Sequence, residues 1–168
     1  MSANLLTKEE VLSGMAANAA VAAVVALKSG ALAGALTDAR FDRGELTLTI
    51  AREEIRSAAF AVQAAGYNFL EDVTCVDFYP AEPRFQVTYH ILSHQLKQRV
   101  RLMALLPGTA PAVDTITSVW PSANFYEREV FDLFGVTFNG HPNMIRIMMP
   151  DEWDGHPLRK DYPVEGYR

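Results

Sequence analysis

The chain has 168 residues, 49% of them hydrophobic, which is enough for one domain with a buried core. Its formal net charge is -5 and its sequence pI is near 5.3, whereas nucleic-acid-binding domains usually carry a basic face. A lone cysteine, Cys75, cannot make an intrachain disulfide or hold an iron–sulfur cluster. The composition therefore argues against a nucleic-acid-binding, a disulfide-stabilised or an iron–sulfur protein.

The first predicted element is a helix that begins at Thr7-Lys8-Glu9-Glu10, which has the form of a capping box. Its pattern of small and apolar residues continues to about Lys28. The strongly apolar part, Ala19 to Leu27, is far shorter than the roughly 20 residues that a membrane-spanning helix needs. We therefore expect a soluble helix, and any membrane association would come through partner proteins.

Further along the chain, alternation of apolar and polar residues predicts strands and helical spacing predicts a second helix. The strands lie at Leu46 to Ile50, Phe69 to Tyr79, Phe85 to Ile91 and Gln98 to Leu105, and the helix at Glu53 to Ala65. Arg43-Gly44 is a turn signal, and Cys75 lies in an apolar run where we expect a buried, inert thiol.

This order of elements predicts an α+β fold. We expect a two-layer sandwich with helices on one face of a mostly antiparallel mixed sheet, followed by an extended C-terminal tail. The expected division is an α+β core at residues 1–110, a short strand and a third helix packed on it at 111–139, and a tail at 140–168. Because glycine, proline and charged residues recur throughout the tail, it cannot bury a regular face.

The third predicted helix has four charged residues between aromatic ones: Glu127, Arg128, Glu129 and Asp132. We expect Phe125, Glu129, Asp132 and Leu133 near one side, an Arg128–Asp132 pair at four-residue spacing, and an end at Gly135. The carboxylates could serve as general acids and bases, as metal ligands or as a solvated face. Since aromatic neighbours disfavour a fully solvated helix, we interpret the cluster as fixing an interface or the tail.

No pattern in the sequence indicates a metal or cofactor site. His90 and His94 are four apart in or after a predicted strand, where such residues are about 13 Å apart, and a structural zinc site needs four ligands. Arg159-Lys160-Asp161 could suggest anion binding, but acidic residues surround it. The dinucleotide, P-loop, nucleophile-elbow and C-x-x-C motifs are all absent from the printed sequence.

Two stretches together resemble one family. They are Ala123 to Val136, which reads ANFYEREVFDLFGV, and Asp151 to Pro163, which reads DEWDGHPLRKDYP, with Phe138, Gly140-His141-Pro142 and Arg146 to Pro150 between them. This pattern resembles the C subunit (30 kDa subunit family) of proton-translocating NADH:quinone oxidoreductase, respiratory complex I. The N-terminal two-thirds matches the family more loosely, through its α+β order.

The resemblance implies a non-redox structural subunit of the peripheral arm, in its quinone module. Such a subunit is an accessory part of the translocase, with no catalytic site, metal or cofactor of its own. The complex would use FMN, iron–sulfur clusters, NADH and quinone, and would couple electron transfer to proton translocation. The implied partners are the D, B and I subunits of a hetero-oligomer, peripheral on the cytoplasmic face of the bacterial cell (inner) membrane, with no nucleic acid.

For such a subunit we expect a partner interface built from the helix and the tail. Charged residues of the helix would pin the helix and the start of the tail, His141 and Arg146 would fix the following segment, and residues 156–163 would lie across a partner. The predicted interface residues are Glu127, Arg128, Glu129, Asp132, Gly135, His141, Pro142, Arg146, Trp153, His156, Pro157, Leu158, Arg159, Lys160, Asp161, Tyr162 and Pro163.

Two alternatives remain open from the sequence. The equivalent subunit of a membrane-bound hydrogenase or related ferredoxin-linked complex shares the fold and the motif. A free-standing hydrolase that uses Glu129 and Asp132 as a carboxylate pair belongs to a different class, and it predicts activity in the isolated chain.

Overall fold

A computed structural model describes residue 32 and residues 34–166 of the chain. The helix predicted from Thr7 to Lys28 therefore lies outside the described residues. In chain order the elements are β1 (Leu36–Asp42), β2 (Glu45–Ile50), a 3-10 turn (Arg52–Glu54), α1 (Ile55–Ala64), β3 (Phe69–Asp77), β4 (Phe85–Ser93), β5 (Gln98–Leu106), β6 (Ala112–Asp114), α2 (Ala123–Phe134) and β7 (Thr137–Asn139).

The main sheet has five strands in the order β1-β2-β5-β4-β3. Three neighbouring pairs are antiparallel, and β2 pairs with β5 in parallel. The short strands β6 and β7 form a separate parallel pair. The predicted class, an α+β fold with a mixed and mostly antiparallel sheet, is confirmed.

The hydrophobic core lies on one face of the sheet, because side chains alternate between the two faces of a strand. In β2, β4 and β5 every second residue is fully buried, as at Leu48, Tyr89 and Leu102. Helix α1 adds Ile55 and Val62 to the same core. The intervening residues, such as Arg101, line an open polar groove of about 500 Å³ on the other face of the sheet.

Strand β1 is the element that the sequence pattern did not predict. It is an edge strand, and only Leu36 and Ala39 of its seven residues are buried. With polar residues at most other positions, its apolar alternation is too weak to recognise. The Arg43-Gly44 turn is confirmed: both residues have positive φ, +52° and +84°, as the tight hairpin between β1 and β2 requires.

Helix α2 packs against β3 and ends as predicted at Gly135. That residue adopts φ +71°, and its N–H donates to the carbonyl of Phe131. After β7 the described chain continues without a helix or strand from residue 140 to residue 166. We call residues 140–166 the strap, because they run back across α2 and the sheet of the same chain.

Candidate functional site

Asp132 of α2 organises the first half of the strap. It is fully buried, and its Oδ2 accepts hydrogen bonds from the backbone N–H groups of Ile147, Met148 and Met149 at 2.7–3.0 Å. Its Oδ1 accepts one from Arg146. Burial by itself would raise the pKa of Asp132, but these four donors outweigh it and lower the pKa. The carboxylate is therefore held charged, with donors around both oxygens.

Two arginines complete the attachment of this segment. Arg146 also donates to the carbonyls of Trp153 and Gly155, both at 3.0 Å, and so links two turns of the strap. Arg128 donates to the carbonyls of Ile145 and Arg146, both at 3.1 Å. The predicted Arg128–Asp132 pair was wrong: Arg146 takes the carboxylate, and Arg128 binds backbone carbonyls instead.

Glu127 attaches α2 to the turn that precedes the helix. Its carboxyl group is fully buried, forms a hydrogen bond with the Thr115 hydroxyl at 2.5 Å and accepts one from the Ile116 N–H at 2.8 Å. Burial raises the pKa of Glu127 to about 7, even though both bonds act to lower it. His141, at the start of the strap, lies beside this carboxyl group and hydrogen-bonds the Asn124 carbonyl at 3.2 Å.

At the end of α2, Gly135 allows the strap to approach closely. A β-carbon at this position would lie 2.5 Å from side-chain atoms of both His156 and Arg159. Arg159 donates to the Phe134 carbonyl at 2.6 Å, and Nδ1 of His156 lies 2.9 Å from the Asp132 carbonyl. Burial lowers the pKa of His156. Position 135 therefore requires glycine for two reasons: its φ is positive, and a β-carbon there would clash with His156 and Arg159.

The second half of the strap is held on the sheet by Arg84, which immediately precedes β4. Its guanidinium bonds both oxygens of Asp77 at 2.8–2.9 Å and both oxygens of Asp161 at 2.6–2.9 Å. Oδ2 of Asp77 also accepts the Lys160 N–H at 2.8 Å. Burial acts to raise the pKa of Asp77, but these donors, with the Tyr79 N–H, bring it down to about 2. We call these four residues, Asp77, Arg84, Lys160 and Asp161, the Arg84 cluster.

The buried face of α2 includes two of the charged motif residues. Among its described side chains, the buried residues are Ala123, Glu127, Val130 and Asp132. Of the four residues expected near one side, Asp132 is buried, Leu133 is half-buried, Phe125 is 61% exposed and Glu129 is exposed. Because Asp132 is buried under backbone donors while Glu129 is exposed, the two carboxylates do not form the pair that a hydrolase would need.

The remaining predicted interface residues lie along the strap. The exposed ones are Pro142, Trp153, Leu158 and Lys160, and the half-buried ones are Pro157, Tyr162 and Pro163. The Tyr162 hydroxyl donates to the Asp154 carbonyl at 3.2 Å. These contacts order the strap on its own chain, so any partner would meet a surface that the fold has already shaped.

Sequence reasoning missed five exposed apolar residues and three polar residues that hold the strap or α2. The strap and α2 expose large apolar side chains, which we call the exposed apolar set: Phe125, Ile145, Ile147, Met148, Trp153, Leu158 and Val164. The apolar run around Arg146, in a segment without regular structure, was a signal for three of them. Asp77, Arg84 and Thr115 gave no comparable signal, because their partners lie far away in the sequence.

Cys75 behaves as predicted for a buried thiol: it lies in the core, and burial raises its pKa to about 12. Within residue 32 and residues 34–166, no group of three or more His, Cys, Asp or Glu side chains is arranged to hold a metal ion. None of the helices in this part of the chain combines the length and the apolar character needed to cross a bilayer.

The fold and the motif together define a small α+β protein with a self-attached C-terminal strap. The family model for the respiratory-chain NADH dehydrogenase 30 kDa subunit matches residues 48–168. This chain belongs to that family, as the resemblance in the sequence indicated.

Two curated relatives are similar in sequence to this chain over nearly their whole length. The NADH-quinone oxidoreductase C subunit of Geobacter sulfurreducens is 48% identical over 146 residues, 86% of this chain and 90% of the relative. The C subunit of Citrifermentans bemidjiense is 46% identical over 145 residues, covering 86% and 89% of the two chains. The chain is therefore a member of the family formed by the C subunits of NADH-quinone oxidoreductase, or complex I.

Two solved structures are also similar. A trypsin-resistant fragment (1-134) of Nqo5 superposes with a TM-score of 0.56 at 36% identity, covering 60% of this chain and 83% of the fragment. A chain of the membrane-bound sulfane sulfur reductase, an archaeal respiratory membrane complex, gives a TM-score of 0.66 at 25% identity, covering 71% and 72%.

Proposed function

We propose that this chain is a non-redox structural subunit of the peripheral arm of NADH:quinone oxidoreductase, in its quinone module. In this role it supports electron transfer from NADH through FMN and iron–sulfur clusters to quinone, coupled to proton translocation, and binds none of these groups itself. Its partners would be the D, B and I subunits, and it would lie peripherally on the cytoplasmic side of the membrane, attached through the complex.

One observation carries the proposal: the strap is held in place by contacts with its own chain, yet it exposes large apolar side chains. The charged motif residues Asp132, Arg146 and Arg159 bond to the chain itself. Met148 is nevertheless 59% exposed, although its backbone is fixed by Asp132. Clusters of exposed apolar residues commonly mark protein–protein contact sites. The motif thus supports an assembly role better than a chemical one.

Acidic residues border part of this surface. Asp151, Glu152 and Asp154 are exposed on either side of Trp153. We therefore expect the partner to offer an apolar contact area with basic residues at its rim, because complementary charges guide the partners into register.

The experiment that tests this role is purification of the tagged full-length chain from its native host after gentle solubilisation of the membranes. Recovery with flavin- and cluster-bearing subunits and with NADH–quinone activity would support the proposal. Recovery of the chain alone would contradict it.

A pair of variants tests the surface itself. We expect Met148→Glu to reduce the recovery of partner subunits at least tenfold, with the melting temperature of the isolated chain unchanged. The matched control is Leu96→Glu, which is exposed in the turn between β4 and β5. That turn lies at the opposite end of the β3–β4 pair from the Arg84 cluster. We therefore expect the Leu96→Glu substitution to leave assembly intact. Normal assembly of Met148→Glu with a lower turnover per complex would contradict the structural role.

The similarity to the sulfane sulfur reductase chain favours one alternative, a subunit of a related hydrogenase-type or ferredoxin-linked membrane complex. The same purification separates the two, because such a complex would bring a different set of electron-input subunits and would lack NADH–quinone activity.

A further inference from the structure

Two buried ionisable side chains meet where helix α2 joins the strap. Glu127 and His141 both have side chains with 0% exposure, and Nε2 of His141 lies 4.0 Å from Oε2 of Glu127. Neither side chain can touch a partner directly. Their pairing therefore needs an explanation beyond the exposed apolar set.

Glu127 differs from the other buried carboxyl group of α2. Asp132 has the Arg146 guanidinium on one oxygen. In the described part of the chain, the hydrogen-bond partners of Glu127 are two neutral groups, the Thr115 hydroxyl and the Ile116 N–H. An ionised carboxylate that is buried without a cation is strongly unfavourable, so the protonated form is preferred at this position.

The hydrogen positions around Thr115 agree with a protonated Glu127. The Thr115 hydroxyl has one hydrogen, but its oxygen lies within bonding distance of both Oε2 of Glu127 and the Thr117 hydroxyl. If Glu127 carries the proton, it donates to Thr115, which then donates to Thr117, and every contact is satisfied. If Glu127 is ionised, Thr115 donates to it and accepts from the hydroxyl and the N–H of Thr117, so these contacts fit both states and the burial of Glu127 without a bound cation favours the protonated form.

His141 is likewise arranged as a neutral ring. Its Nδ1 accepts the Asn143 N–H at 3.0 Å, and its Nε2 lies 3.2 Å from the Asn124 carbonyl, which can only accept. The tautomer with hydrogen on Nε2 satisfies both contacts. A second proton on Nδ1 would point at the Asn143 N–H and break the bond that turns the strap.

We propose that Glu127 and His141 form a buried, proton-holding pair that makes the attachment of the strap to α2 sensitive to pH. The attachment is tight when Glu127 is protonated and His141 is neutral. Loss of the Glu127 proton, or addition of a proton to His141, places an uncompensated charge at this junction and loosens residues 141–143.

The electrostatic surroundings give the direction of each effect. Burial raises the pKa of Glu127 to about 7, so the folded state loses stability as pH rises from the ordinary value of 4.5 through 7. Burial lowers the pKa of His141, so stability falls as pH drops below its ordinary value of 6.5. The charge of Arg128, on the same helix, also lowers the pKa of His141.

Two more groups face this site from other elements. The Tyr89 hydroxyl of β4 is fully buried, and its pKa lies well above the usual range because of burial and of the charges of Glu127 and Asp114. Asp114 of β6 is itself paired with Arg56 of α1 at 2.7 Å. Tyr89 therefore stays neutral, and it leaves the titration near neutral pH to Glu127 and His141.

The direct test is NMR titration of the full-length chain with ¹³C-labelled glutamate and histidine. The carboxyl carbon of Glu127, assigned through its own backbone resonances, is expected to titrate near neutral pH, well above the exposed glutamates. Because the test uses the wild-type chain, it does not depend on a variant that folds. Titration of Glu127 together with the exposed glutamates below about pH 5 would overturn the proposal.

The link to the strap is tested by amide hydrogen exchange at Asn143, corrected for intrinsic rates. We expect its protection to fall between pH 6 and pH 8.5 in the wild type and to stay constant in Glu127→Gln, whose amide cannot ionise. The folding equilibrium constant of the wild type should also fall on the order of 100-fold from pH 4.5 to above pH 7 relative to this variant.

The matched control is Glu129→Gln, an exposed glutamate of the same helix, which should keep the wild-type pH profile. Constant protection of Asn143 in the wild type across this pH range would contradict the coupling between the pair and the strap.

Discussion

Arg84 and Asp161 are 77 positions apart in the sequence, and their side chains meet at 2.6 Å. The same guanidinium holds Asp77, which is almost fully buried. The contact closes the strap onto the sheet, so that the motif segment and the core behave as one unit.

Removal of the Arg84 side chain should be strongly destabilising. Arg84→Ala leaves the buried Asp77 carboxylate without its cation, which typically costs about 3–5 kcal/mol. The free energy of unfolding in urea measures the loss, and tryptic cleavage within the strap should accelerate. Arg99→Ala is the control: its pair with Glu71 is exposed and screened by solvent, so its loss should change the stability far less. Equal losses in the two variants would contradict this assignment.

The Asp132 carboxylate should not tolerate an amide. Three N–H groups and one guanidinium surround it, so in Asp132→Asn the new NH₂ group must face at least one donor. We expect a loss of about 3 kcal/mol in unfolding free energy and faster hydrogen exchange at Met148. Glu129→Gln, on the exposed side of the same helix, should stay within about 0.5 kcal/mol of wild type. A stable Asp132→Asn variant with a protected strap would show that these bonds contribute little.

Two glycine substitutions separate backbone strain from steric contact. Gly44 has φ +84° with nothing within 4 Å of a β-carbon, so Gly44→Ala should cost only the conformational penalty of about 1 kcal/mol. Gly135 has φ +71° and lies under His156 and Arg159, so Gly135→Ala should cost at least about 2 kcal/mol more. Thermal unfolding of the two variants gives the comparison. Similar melting temperatures would mean that His156 and Arg159 can move away from residue 135 without a loss of stability.

The Arg84 cluster should also set the response to acid. The pKa of Asp77 falls to about 2 from an ordinary 3.8, so its contribution is complete above pH 3.8 and is lost as pH falls through 2. The difference corresponds to about 2 kcal/mol. Urea unfolding from pH 5 to pH 2 should show this loss in the wild type and a shallower slope in Asp77→Asn. An unchanged slope in the variant would assign the acid sensitivity to other carboxyl groups.

Local features of the fold could be predicted from the sequence. Strands β2 to β5 follow clear alternation, and the end of α2 at Gly135 follows from the need for positive φ. Strand β1 could not be recognised because few of its residues are buried. The parallel pairing of β2 with β5 has no local signal, since it joins segments separated by α1 and two strands.

The candidate site was predicted as a set of residues rather than as a geometry. The sequence singled out the charged motif, and spacing on a helix suggested that Arg128 would pair with Asp132. The partners of Asp132 are instead groups of the strap, whose backbone N–H groups bind its carboxylate. Such competition between a helix and a distant segment cannot be read from local periodicity.

The order of biosynthesis gives the strap a further consequence. Residues Asp77 and Arg84 leave the ribosome long before Lys160 and Asp161. The sheet can therefore form before the Arg84 cluster is complete. A chain interrupted between β7 and residue 160 would retain the buried core residues up to Phe138 but would leave Arg84 with one of its two carboxylates. Such an interrupted chain would be distinguishable by proteolysis from a finished one, which gives cellular quality control a physical basis for rejecting it before assembly.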